Sequence, residues 1–443
     1  MKDSSLAISP ISHPLNATVR VPGSKSLTNR ALLLAALANG KTRLTNALFS
    51  DDSRYFAKAL QTLGFDIQLD ETNCEMTVTG LGGKIPAQKA ELYIGNAGTA
   101  ARFLSAFLTL GHGEYILDGD ARMRERPIGD LVAALNQLDC TIRPLLLVEG
   151  RSEKICPPIK IIASGLPGGK TQVAGDISSQ FLSALLMVAP YAQAPLEIEV
   201  VTELNSKPYV DMTLAIMHDF GIDVERDGYK YFFIQPSFYS PLSSYAVESD
   251  ASAASYFFAA PAICGGTVCV ENVSRKSVQG DIAFLDFLQK MGCSVSEIDN
   301  GISVTGAVHL CGIDADMRDV PDTAQTLAVV APFASTPTRI RGIASARVKE
   351  TDRVAATCAE LTRLGIQVEE HADGMTIYPC NSFHSAAIQT YNDHRMAMAF
   401  ALIGLRVPGV AIENPACVSK TFPDYFKVLE TLRVPSLVGR GLG

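Results

Sequence analysis

One short segment of the chain places a carboxylate between two cations. In the string RVKETDR, Glu350 is flanked by Lys349 and Arg353. A buried carboxylate held against cations can give and take a proton once a substrate excludes water. The alternative is a salt-bridge network at a helix start on the surface, which is the commoner role of such a string. The segment is therefore a candidate for acid–base chemistry.

Two basic strings lie where helices are predicted to begin. PGSKSLTNR brings Lys25, Ser26 and Arg30 to one end of a helix, because residues four apart share a helix face. In RMRERP we assign only Arg126 to a site, since it is in register with cations in later parts of the chain. Helix starts bind anions through their free N–H groups. The alternative for both strings is a capped, solvated helix start.

Two further strings have small and hydroxyl-bearing residues at a predicted helix start. In GNAGTAAR, Gly98 lets backbone N–H groups approach a phosphate closely, although a tight turn is the simpler explanation. In DISSQFL, the side chains of Ser178, Ser179 and Gln180 suit a phosphate as well as they suit ordinary capping. Both strings are candidates for binding a phosphate.

The last third of the chain adds two cations and an acid. NDHR and SKTFPD contain Arg395 and Lys420, which lie at two ends within one predicted unit. Asp322 stands at another predicted helix start, where it is either a cap or a base. These residues extend the candidate anion site beyond the basic strings near the N-terminus.

The same order of segments occurs six times along the chain. Each copy has a polar helix start, an apolar helix and then an amphipathic helix led by Asp, with strands between them. Steps of 71 to 80 residues separate the copies, which indicates duplicated structural units. The copies begin at Gly23, Gly95, Gly175, Asp250, Asp322 and Asp393, and the Asp residues expected to cap the second helices are Asp52, Asp130, Asp211, Asp281, Asp352 and Asp424. In the first copy, Gly40 is expected to end the apolar helix.

This order of elements predicts an α/β protein with two domains. Six copies are too many for one ordinary core, so we divide them three and three. The break falls near residues 245–249, and the strand before Gly23 supplies a second crossing. Residues 1–22 with 249–443 then form a discontinuous domain with repeats four to six, and residues 23–248 form an inserted domain with repeats one to three. Two adjacent linkers permit hinge closure over a cleft.

Composition limits the classes of partner. A formal net charge of −8 argues against a broad nucleic-acid or membrane surface. The apolar stretches are too short to span a bilayer and the N-terminal string lacks the apolar core of a signal peptide, so we expect a cytoplasmic protein. The ten cysteines have no C-x-x-C spacing and the seven histidines no H-E-x-x-H pair. We therefore expect reduced thiols, no metal site and no cofactor.

Eight strings taken together resemble the 5-enolpyruvylshikimate-3-phosphate synthase family of enolpyruvyl transferases. They run in order from residue 22 to residue 426: PGSKSLTNRALLLAAL, GNAGTAAR, RMRERPIG, SSQFLSALLM, SKPYVD, RVKETDR, YNDHRMAM and KTFPDYF. The resemblance implies an inside-out α/β barrel, in which each of two domains has three βαβαββ repeats with helices inside and sheets outside. It also implies transfer of the enolpyruvyl group of phosphoenolpyruvate to the 5-hydroxyl of shikimate 3-phosphate, releasing phosphate, in the pathway to chorismate and the aromatic amino acids.

The resemblance also implies which residues bind these two small-molecule partners, and we expect the enzyme to be a monomer. The implied ligands of shikimate 3-phosphate are Lys25, Ser26, Arg30, Ser178, Ser179, Gln180, Ser206, Tyr209, Asp322, Ser345 and Lys349. Those of phosphoenolpyruvate are Lys25, Asn96, Gly98, Arg126, Gln180, Arg353, Arg395 and Lys420. In the first set, Ser26 and Arg30 would hold the shikimate carboxylate. In the second, Arg353 and Arg395 would hold the carboxylate of phosphoenolpyruvate.

The implied reaction needs two proton transfers. The enol carbon becomes electrophilic when the methylene is protonated, and the hydroxyl loses its proton as it attacks. A tetrahedral ketal then expels phosphate. We expect Glu350 to handle the methylene proton and Asp322 to activate the hydroxyl. Lys25 and Lys349 are candidates either for proton transfer or for charge stabilisation.

Two positions depart from the family pattern. Ser345 stands where familiar members often have Asn near the substrate, and Phe103 follows Arg102 where many have Pro. The first departure affects a hydroxyl contact, and the second affects packing beneath Gly98. The herbicide glyphosate competes with phosphoenolpyruvate in this family, and the N-A-G-T string around Gly98 resembles the sensitive type.

Three other interpretations explain parts of the pattern. The UDP-N-acetylglucosamine enolpyruvyl transferases share the fold and the chemistry, but they usually carry a reactive Cys where this chain has RMRERP. A relative of the RNA 3′-phosphate cyclases would imply a nucleic-acid partner, which the acidic charge balance disfavours. A noncatalytic repeat scaffold would explain the periodicity but not the cations at helix starts.

Overall fold

The computed structural model describes residues 5–145 and 155–433. Residues 1–4, 146–154 and 434–443, which the expected domain ranges include, lie outside the described residues. The chain divides into two units, Met1–Pro22 with Ser249–Gly443 and Gly23–Glu248. The first is called the discontinuous unit below and the second the inserted unit.

Twelve α-helices lie in the described residues. The inserted unit has α1 Lys25–Leu37, α2 Asp51–Thr62, α3 Gly98–Phe107, α4 Gly129–Asn136, α5 Ser179–Val188 and α6 Lys207–Asp219. The discontinuous unit has α7 Ala251–Cys264, α8 Phe284–Lys290, α9 Ala324–Val330, α10 Arg353–Arg363, α11 His394–Gly404 and α12 Tyr425–Thr431. In each unit the odd-numbered helices are buried on almost every side, because their residues are apolar nearly all round. In the discontinuous unit these three helices all contact one another, and in the inserted unit α3 contacts both α1 and α5.

The described residues also contain 23 strands. They are β1 Ser5–Ala7, β2 Leu15–Arg20, β3 Asn39–Thr45, β4 Asp66–Asp70, β5 Glu75–Leu81, β6 Lys89–Tyr93, β7 His112–Asp118, β8 Thr141–Pro144, β9 Ile159–Ser164, β10 Gly169–Val173, β11 Leu196–Val200, β12 Glu225–Asp227, β13 Tyr231–Ile234, β14 Tyr245–Ala246, β15 Gly266–Glu271, β16 Ser294–Ile298, β17 Gly301–Thr305, β18 Asp314–Asp316, β19 Thr338–Arg341, β20 Val368–His371, β21 Gly374–Ile377, β22 Ala387–Ile388 and β23 Ala411–Glu413. Several strands alternate buried and exposed residues, as in β2 and β6, so each presents one face to the core.

These strands form three sheets in each unit. The inserted unit has the strand orders β14-β3-β5-β4, β6-β7-β9-β8 and β10-β11-β13-β12. The discontinuous unit has β16-β17-β15-β2, β18-β19-β21-β20 and the shorter β1-β23-β22. Every four-stranded sheet contains one parallel pair and two antiparallel pairs. The predicted α/β class is therefore confirmed.

The chain crosses between the units at two neighbouring places. Strand β2 precedes the inserted unit in sequence but pairs in parallel with β15 of the discontinuous unit. Strand β14, at the end of the inserted unit, pairs with β3 of its own unit. Backbone hydrogen bonds join the two crossings, from Ser24 N–H to Glu248 O and from Asp250 N–H to Pro22 O, each 2.8 Å long. The two linkers thus run side by side.

Most of the Asp residues expected to cap the second helices are not caps, so that prediction was wrong in detail. Asp352 is a cap, because its carboxylate accepts the N–H of Ala355 at 3.0 Å. Helix α2 is instead preceded by Ser50, which leaves Asp52 inside its first turn. Asp211 lies within α6. A serine placed earlier can occupy the cap position that an Asp would otherwise take.

The first helix also ends earlier than expected. Helix α1 stops at Leu37, and the N–H of Ala38 still bonds to Leu34 O before the chain becomes extended. Gly40 lies inside β3 with a φ of +138°, a backbone conformation that residues other than glycine rarely adopt. Gly40 therefore belongs to strand β3 and does not end helix α1. No helix in the described ranges is both long enough and apolar enough to reach across a bilayer.

Candidate active site

Six ionisable side chains form a buried cluster in the discontinuous unit. Arg353 lies at its centre, donating from Nε to Asp393 at 2.8 Å, from Nη2 to Glu350 at 2.8 Å and from Nη1 to Asp322 at 3.0 Å. The members of this cluster are Arg353, Arg395, Lys420, Asp322, Glu350 and Asp393. Their formal charges balance, as expected for ionised groups withdrawn from water.

Helix starts position most of this cluster. Asp322 lies in the short helix Pro321–Thr323 that leads into α9, and Arg353 is the first residue of α10. Asp393 caps α11 by accepting the N–H of Arg395 at 2.9 Å. Lys420 ends the short helix Pro415–Lys420, and its Nζ lies 3.8 Å from Oε1 of Glu350. Residues distant in sequence therefore meet because three helices begin at the same end of the unit.

Asp322 is shared between two arginines. Its Oδ1 accepts from Arg353 and its Oδ2 accepts from Nη2 of Arg395 at 2.8 Å. Its side chain is 18% exposed, whereas that of Arg353 is 3% exposed. Asp322 is thus the most accessible partner of Arg353, at the place where two guanidinium groups converge. Paired guanidinium groups are suited to binding a carboxylate.

The cluster raises the pKa of Arg353. Burial alone would lower that pKa, but the charges of Asp393, Glu350 and Asp322 outweigh burial. Nearby, burial raises the pKa of Tyr256 to about 12 although Arg395 opposes the shift. The Tyr256 hydroxyl lies 3.4 Å from Nη1 of Arg395. Arg353 is consequently a fixed, permanent cation.

Two further predicted residues precede this cluster along the chain. Ser345 is buried in the short helix Ala344–Val348, which contacts the short helix containing Asp322. Lys349 follows that helix and is half-buried. Both residues lie on the segment that leads into Glu350 and α10. The structure therefore brings this segment beside Asp322, which sequence spacing alone did not predict.

In the inserted unit, Asn96, Gly98 and Arg126 come together. Nη1 of Arg126 donates to the backbone O of Asn96 at 3.0 Å and to its Oδ1 at 2.9 Å. A Cβ atom on Gly98 would lie 2.4 Å from Nη2 of Arg126 and 2.8 Å from Nη1 of Arg102. Only a glycine lets the start of α3 approach two guanidinium groups this closely. The arrangement combines free helix N–H groups with two cations, as an anion site requires.

The start of α5 lies beside the start of α3. Nε2 of Gln180 is 3.3 Å from the hydroxyl of Thr99, the residue after Gly98. Ser178 caps α5, accepting the N–H of Gln180 at 3.3 Å, and Ser179 is its first residue. Capping was one of the two roles considered for these serines, and it leaves the hydroxyl proton of Ser178 able to donate to a ligand.

Arg30 is almost fully enclosed, with 1% of its surface exposed. Its guanidinium donates to the Thr213 hydroxyl at 2.8 Å, to Ser26 O at 3.0 Å and to Tyr209 O at 3.2 Å. It also lies 5.3 Å from the ring centre of Phe103, so this departure from the family pattern supplies a cation–π contact. Burial lowers the pKa of Arg30 to about 10.

Arg30 links helix starts in the inserted unit. Ser206 precedes α6 in a left-handed conformation, with a φ of +58°, and its carbonyl accepts the N–H of Tyr209. Arg30 therefore holds the first turn of α6, with Tyr209, against α1. At the start of α1, Nζ of Lys25 lies 3.8 Å from Oδ2 of Asp52, and both side chains are largely buried. The predicted residues of this unit thus collect at the beginnings of α1, α3, α5 and α6.

Sequence reasoning missed several partners of these residues. The most important is Asp393, which it treated only as the start of a repeat although Asp393 orients Arg353 and caps α11. Tyr256, Thr99 and Asp52 were not considered as site residues either. The N-D-H-R string was a usable signal for Asp393, because an acid before a basic residue at a helix start can act as a cap. Across residues 5–145 and 155–433, no group of three His, Cys, Asp or Glu side chains is arranged to hold a metal ion.

The fold and these two groups of residues define an α/β enzyme that acts on small, multiply charged anions. The sequence profile of EPSP synthase (3-phosphoshikimate 1-carboxyvinyltransferase) matches residues 10–429, so the chain belongs to the EPSP synthase family. The resemblance noted from the eight strings is thereby confirmed.

Individual relatives agree with this family. A 3-phosphoshikimate 1-carboxyvinyltransferase of Trichormus variabilis is 50% identical over 421 residues, covering 95% of this chain and 97% of that protein. The chloroplastic enzyme of Arabidopsis thaliana is 48% identical over 449 residues, covering 97% and 85%. The solved structure of EPSP synthase from Acinetobacter baumannii aligns with a TM-score of 0.79 at 25% identity, covering 96% of this chain and 97% of that one.

Proposed function

We propose that the chain transfers the enolpyruvyl group of phosphoenolpyruvate to the 5-hydroxyl of shikimate 3-phosphate and releases phosphate. The name of the family, 3-phosphoshikimate 1-carboxyvinyltransferase, denotes this reaction. The observation that carries the proposal is the buried cluster in which Asp322 and Glu350 share Arg353. It supplies two carboxylates for two proton transfers and fixed cations for an anionic substrate.

Phosphoenolpyruvate would bind through its carboxylate to Arg353 and Arg395. Both arginines donate to Asp322 in the structure, so an incoming carboxylate must share or replace that acceptor. We infer that the substrate carboxylate takes over these bonds. Asp322, released from two guanidinium groups, becomes a stronger proton acceptor, since nearby cations stabilise its ionised form. Binding of one substrate would thus activate the base that acts on the other.

The phosphate of phosphoenolpyruvate would bind to residues of both units. In the discontinuous unit Lys420 is the proposed ligand. In the inserted unit the start of α3 offers N–H groups beside Arg126. The proposed phosphoenolpyruvate ligands in the inserted unit are Lys25, Asn96, Gly98, Arg126 and Gln180.

Shikimate 3-phosphate would bind mainly at the helix starts of the inserted unit. Ser178, Ser179 and Ser206 are the proposed ligands of its phosphate, and Ser26 and Arg30 those of its carboxylate. Because most N–H groups of Arg30 already bond to protein atoms, we expect Arg30 to give the ligand at most one hydrogen bond. The remaining proposed contacts are Lys25, Gln180, Tyr209, Asp322, Ser345 and Lys349.

The reaction would proceed by addition and then elimination. Glu350 must carry a proton when the substrates are bound, and it gives that proton to the methylene carbon as the 5-hydroxyl oxygen bonds to the adjacent carbon and the hydroxyl proton passes to Asp322. The resulting tetrahedral ketal loses phosphate when its carbon–oxygen bond breaks and the new methyl group returns a proton to Glu350. The proton on Asp322 leaves with the phosphate, so both carboxyl groups return to their starting state. Lys25 and Lys349 remain candidates for proton transfer or for stabilising the phosphate that leaves.

The finer features of the fold belong to the same proposal. We propose that the six sheets and six buried helices represent six βαβαββ repeats, arranged as an inside-out α/β barrel of three repeats per domain with a hinge cleft. The common order of the four-stranded sheets supports the repeats. We further propose a cytoplasmic monomer without a nucleic-acid or membrane partner.

A phosphate-release assay with purified protein tests the proposed function. We expect phosphate only when phosphoenolpyruvate and shikimate 3-phosphate are both present. Each substrate alone provides the control for phosphatase activity. Replacing shikimate 3-phosphate with UDP-N-acetylglucosamine separates this reaction from that of the related sugar-nucleotide transferases. Phosphate release with the sugar nucleotide and none with shikimate 3-phosphate would overturn the assignment.

A further inference from the structure

The inserted unit has a cavity at the end of its central helices opposite the candidate site residues. Its volume is about 630 Å³, which lies in the range of small-molecule sites. It is lined by Leu110 and Tyr191, which follow α3 and α5, and by Gly83, which bonds to the last residue of α1. The candidate site residues lie instead where these helices begin. Because α1 has 13 residues, about 20 Å of helix separates the two places.

Hydrogen bonds join the chain segments that form the rim of this cavity. The N–H of Gly83 donates to Leu37 O at 3.1 Å, and the Tyr191 hydroxyl donates to the same oxygen at 2.5 Å. The N–H of Ser237 donates to Pro190 O at 2.7 Å. These bonds satisfy the carbonyl groups that end the helices, which reduces the negative potential that helix ends otherwise create. The cavity is therefore preformed.

Several polar side chains of the lining lack a protein partner. Among residues 5–145 and 155–433, the side chains of Lys84, His112, Gln193 and Ser237 form no hydrogen bond or ion pair. The ring of Phe238 is also unusual, since the residue is 71% exposed and touches Tyr191 edge-on, with ring centres 5.7 Å apart. A concave surface with an open aromatic ring and several unpaired polar groups is the usual composition of a ligand site.

The charge of the lining residues favours an anionic ligand. Lys84 lines the cavity, and no Asp or Glu is among the lining residues. This is notable in a chain whose formal net charge is −8. We propose that the cavity binds a small carboxylate that carries an aromatic ring, with the ring against Phe238 and Tyr191 and the carboxylate near Lys84. The site is separate from the proposed substrate residues.

Calorimetric titration of the full chain with phenylacetate tests this proposal. The two cavity variants are Phe238→Ser and Lys84→Gln. We expect Phe238→Ser to weaken phenylacetate binding about tenfold, because the ligand ring loses its apolar contact. We expect Lys84→Gln to weaken it about threefold, because an exposed charge contributes little. Both residues are exposed, so we expect both variants to fold, which a thermal melt followed by circular dichroism checks.

Matched controls separate this cavity from other places where phenylacetate can bind. Val308→Ser removes an apolar side chain that is 93% exposed, and Lys58→Gln removes an exposed lysine on α2. We expect both controls to bind phenylacetate as the unmodified chain does, and benzylamine to bind more weakly than phenylacetate. Equal phenylacetate affinity in the cavity variants and the controls would overturn the proposal. Tighter binding of benzylamine would overturn the choice of an anionic ligand.

Discussion

The proposed proton-transfer residue of the discontinuous unit is a buried carboxylate in contact with two cations. Glu350 is bonded to Arg353 at 2.8 Å and lies 3.8 Å from Nζ of Lys420. Two cations therefore lie beside this carboxylate. Asp393 holds Arg353 in place through two further hydrogen bonds. The geometry therefore suits a group that must release a proton and recover it.

We expect Glu350→Gln to retain substrate binding and to lose most turnover. Glutamine keeps the shape and can still accept a hydrogen bond from Arg353, but it cannot deliver a proton. Loss of an acid–base group lowers kcat by roughly 10²–10⁴-fold. Steady-state kinetics with both substrates measures the change, and calorimetry with shikimate 3-phosphate checks binding. An unchanged kcat would show that Glu350 does not handle the methylene proton.

We expect Arg395→Lys to raise the KM for phosphoenolpyruvate by about tenfold or more. Arg395 donates to Asp322 and approaches Tyr256 with two different nitrogens, a fork that a single ammonium group cannot reproduce. A hydrogen bond to a charged group contributes about 1.5–3 kcal/mol. Arg406→Lys, at an exposed position after α11, is the matched control. Equal KM values for the variant and its control would contradict the carboxylate assignment.

We expect Gly98→Ala to weaken inhibition by glyphosate about tenfold and to raise the KM for phosphoenolpyruvate. The added methyl group would lie 2.4 Å from Nη2 of Arg126, so that guanidinium must move away from the start of α3. Loss of one charge-assisted contact accounts for a change of this size. Gly129→Ala is a suitable control, because a Cβ there meets its nearest atoms at 3.7 Å. An inhibition constant equal to that of the unmodified chain would refute the expectation.

At the level of elements, helix starts position both groups of site residues. These buried helices begin with small or polar residues and continue with apolar residues on nearly all sides, and even their first residues, Gly98, Ser179 and His394, are buried. Caps define where these starts fall. Asp352 caps α10, and the residue after it is Arg353. A weaker cap would therefore disturb the central arginine of the cluster as well as the helix.

We expect Asp352→Ala to lower the free energy of unfolding by about 1–2 kcal/mol and to reduce activity. The substitution removes the bond to the N–H of Ala355 and the ion pair with Arg347 at 2.9 Å. Asp424→Ala is the control, because Asp424 precedes α12 without a side-chain cap bond. Denaturant titration measures both variants, and the control should change by less than about 0.5 kcal/mol. Similar losses in the two variants would argue against a special role for the α10 cap.

For the whole molecule, the important feature is that the chain passes between its units twice. The boundaries fall at Pro22/Gly23 and at Glu248/Ser249, where backbone hydrogen bonds join the two linkers. The proposed ligands of each substrate include residues of both units. Two adjacent linkers permit hinge motion in principle, because such motion needs rotation about few backbone bonds. We therefore propose that substrate binding and closure are coupled.

We expect shikimate 3-phosphate to reduce the radius of gyration of the protein. Its proposed ligands come from both units, so its binding would favour the closed arrangement proposed above. Small-angle X-ray scattering with and without the ligand measures the change. Inorganic phosphate at the same concentration controls for ionic strength. Identical dimensions in all three samples would count against closure.

The sequence alone was sufficient for the features that depend on local patterns. Polar helix starts followed by apolar helices predicted the α/β class, and strings of six to sixteen residues pointed to the family. Capping and apolar periodicity act over a few residues, so they can be recognised in the sequence without a tertiary structure. Arg353, Arg395 and Glu350 were found in this way because each belongs to a compact string.

Only the tertiary structure shows which side chains pair. Arg353 and Asp393 are 40 residues apart, and Arg30 and Thr213 are 183 apart, so no spacing rule joins them. The sequence could not show that Asp322 is shared by two arginines, or that Arg30 is enclosed by protein atoms. Such pairings depend on which buried helices begin side by side, and that follows from the packing of the whole core.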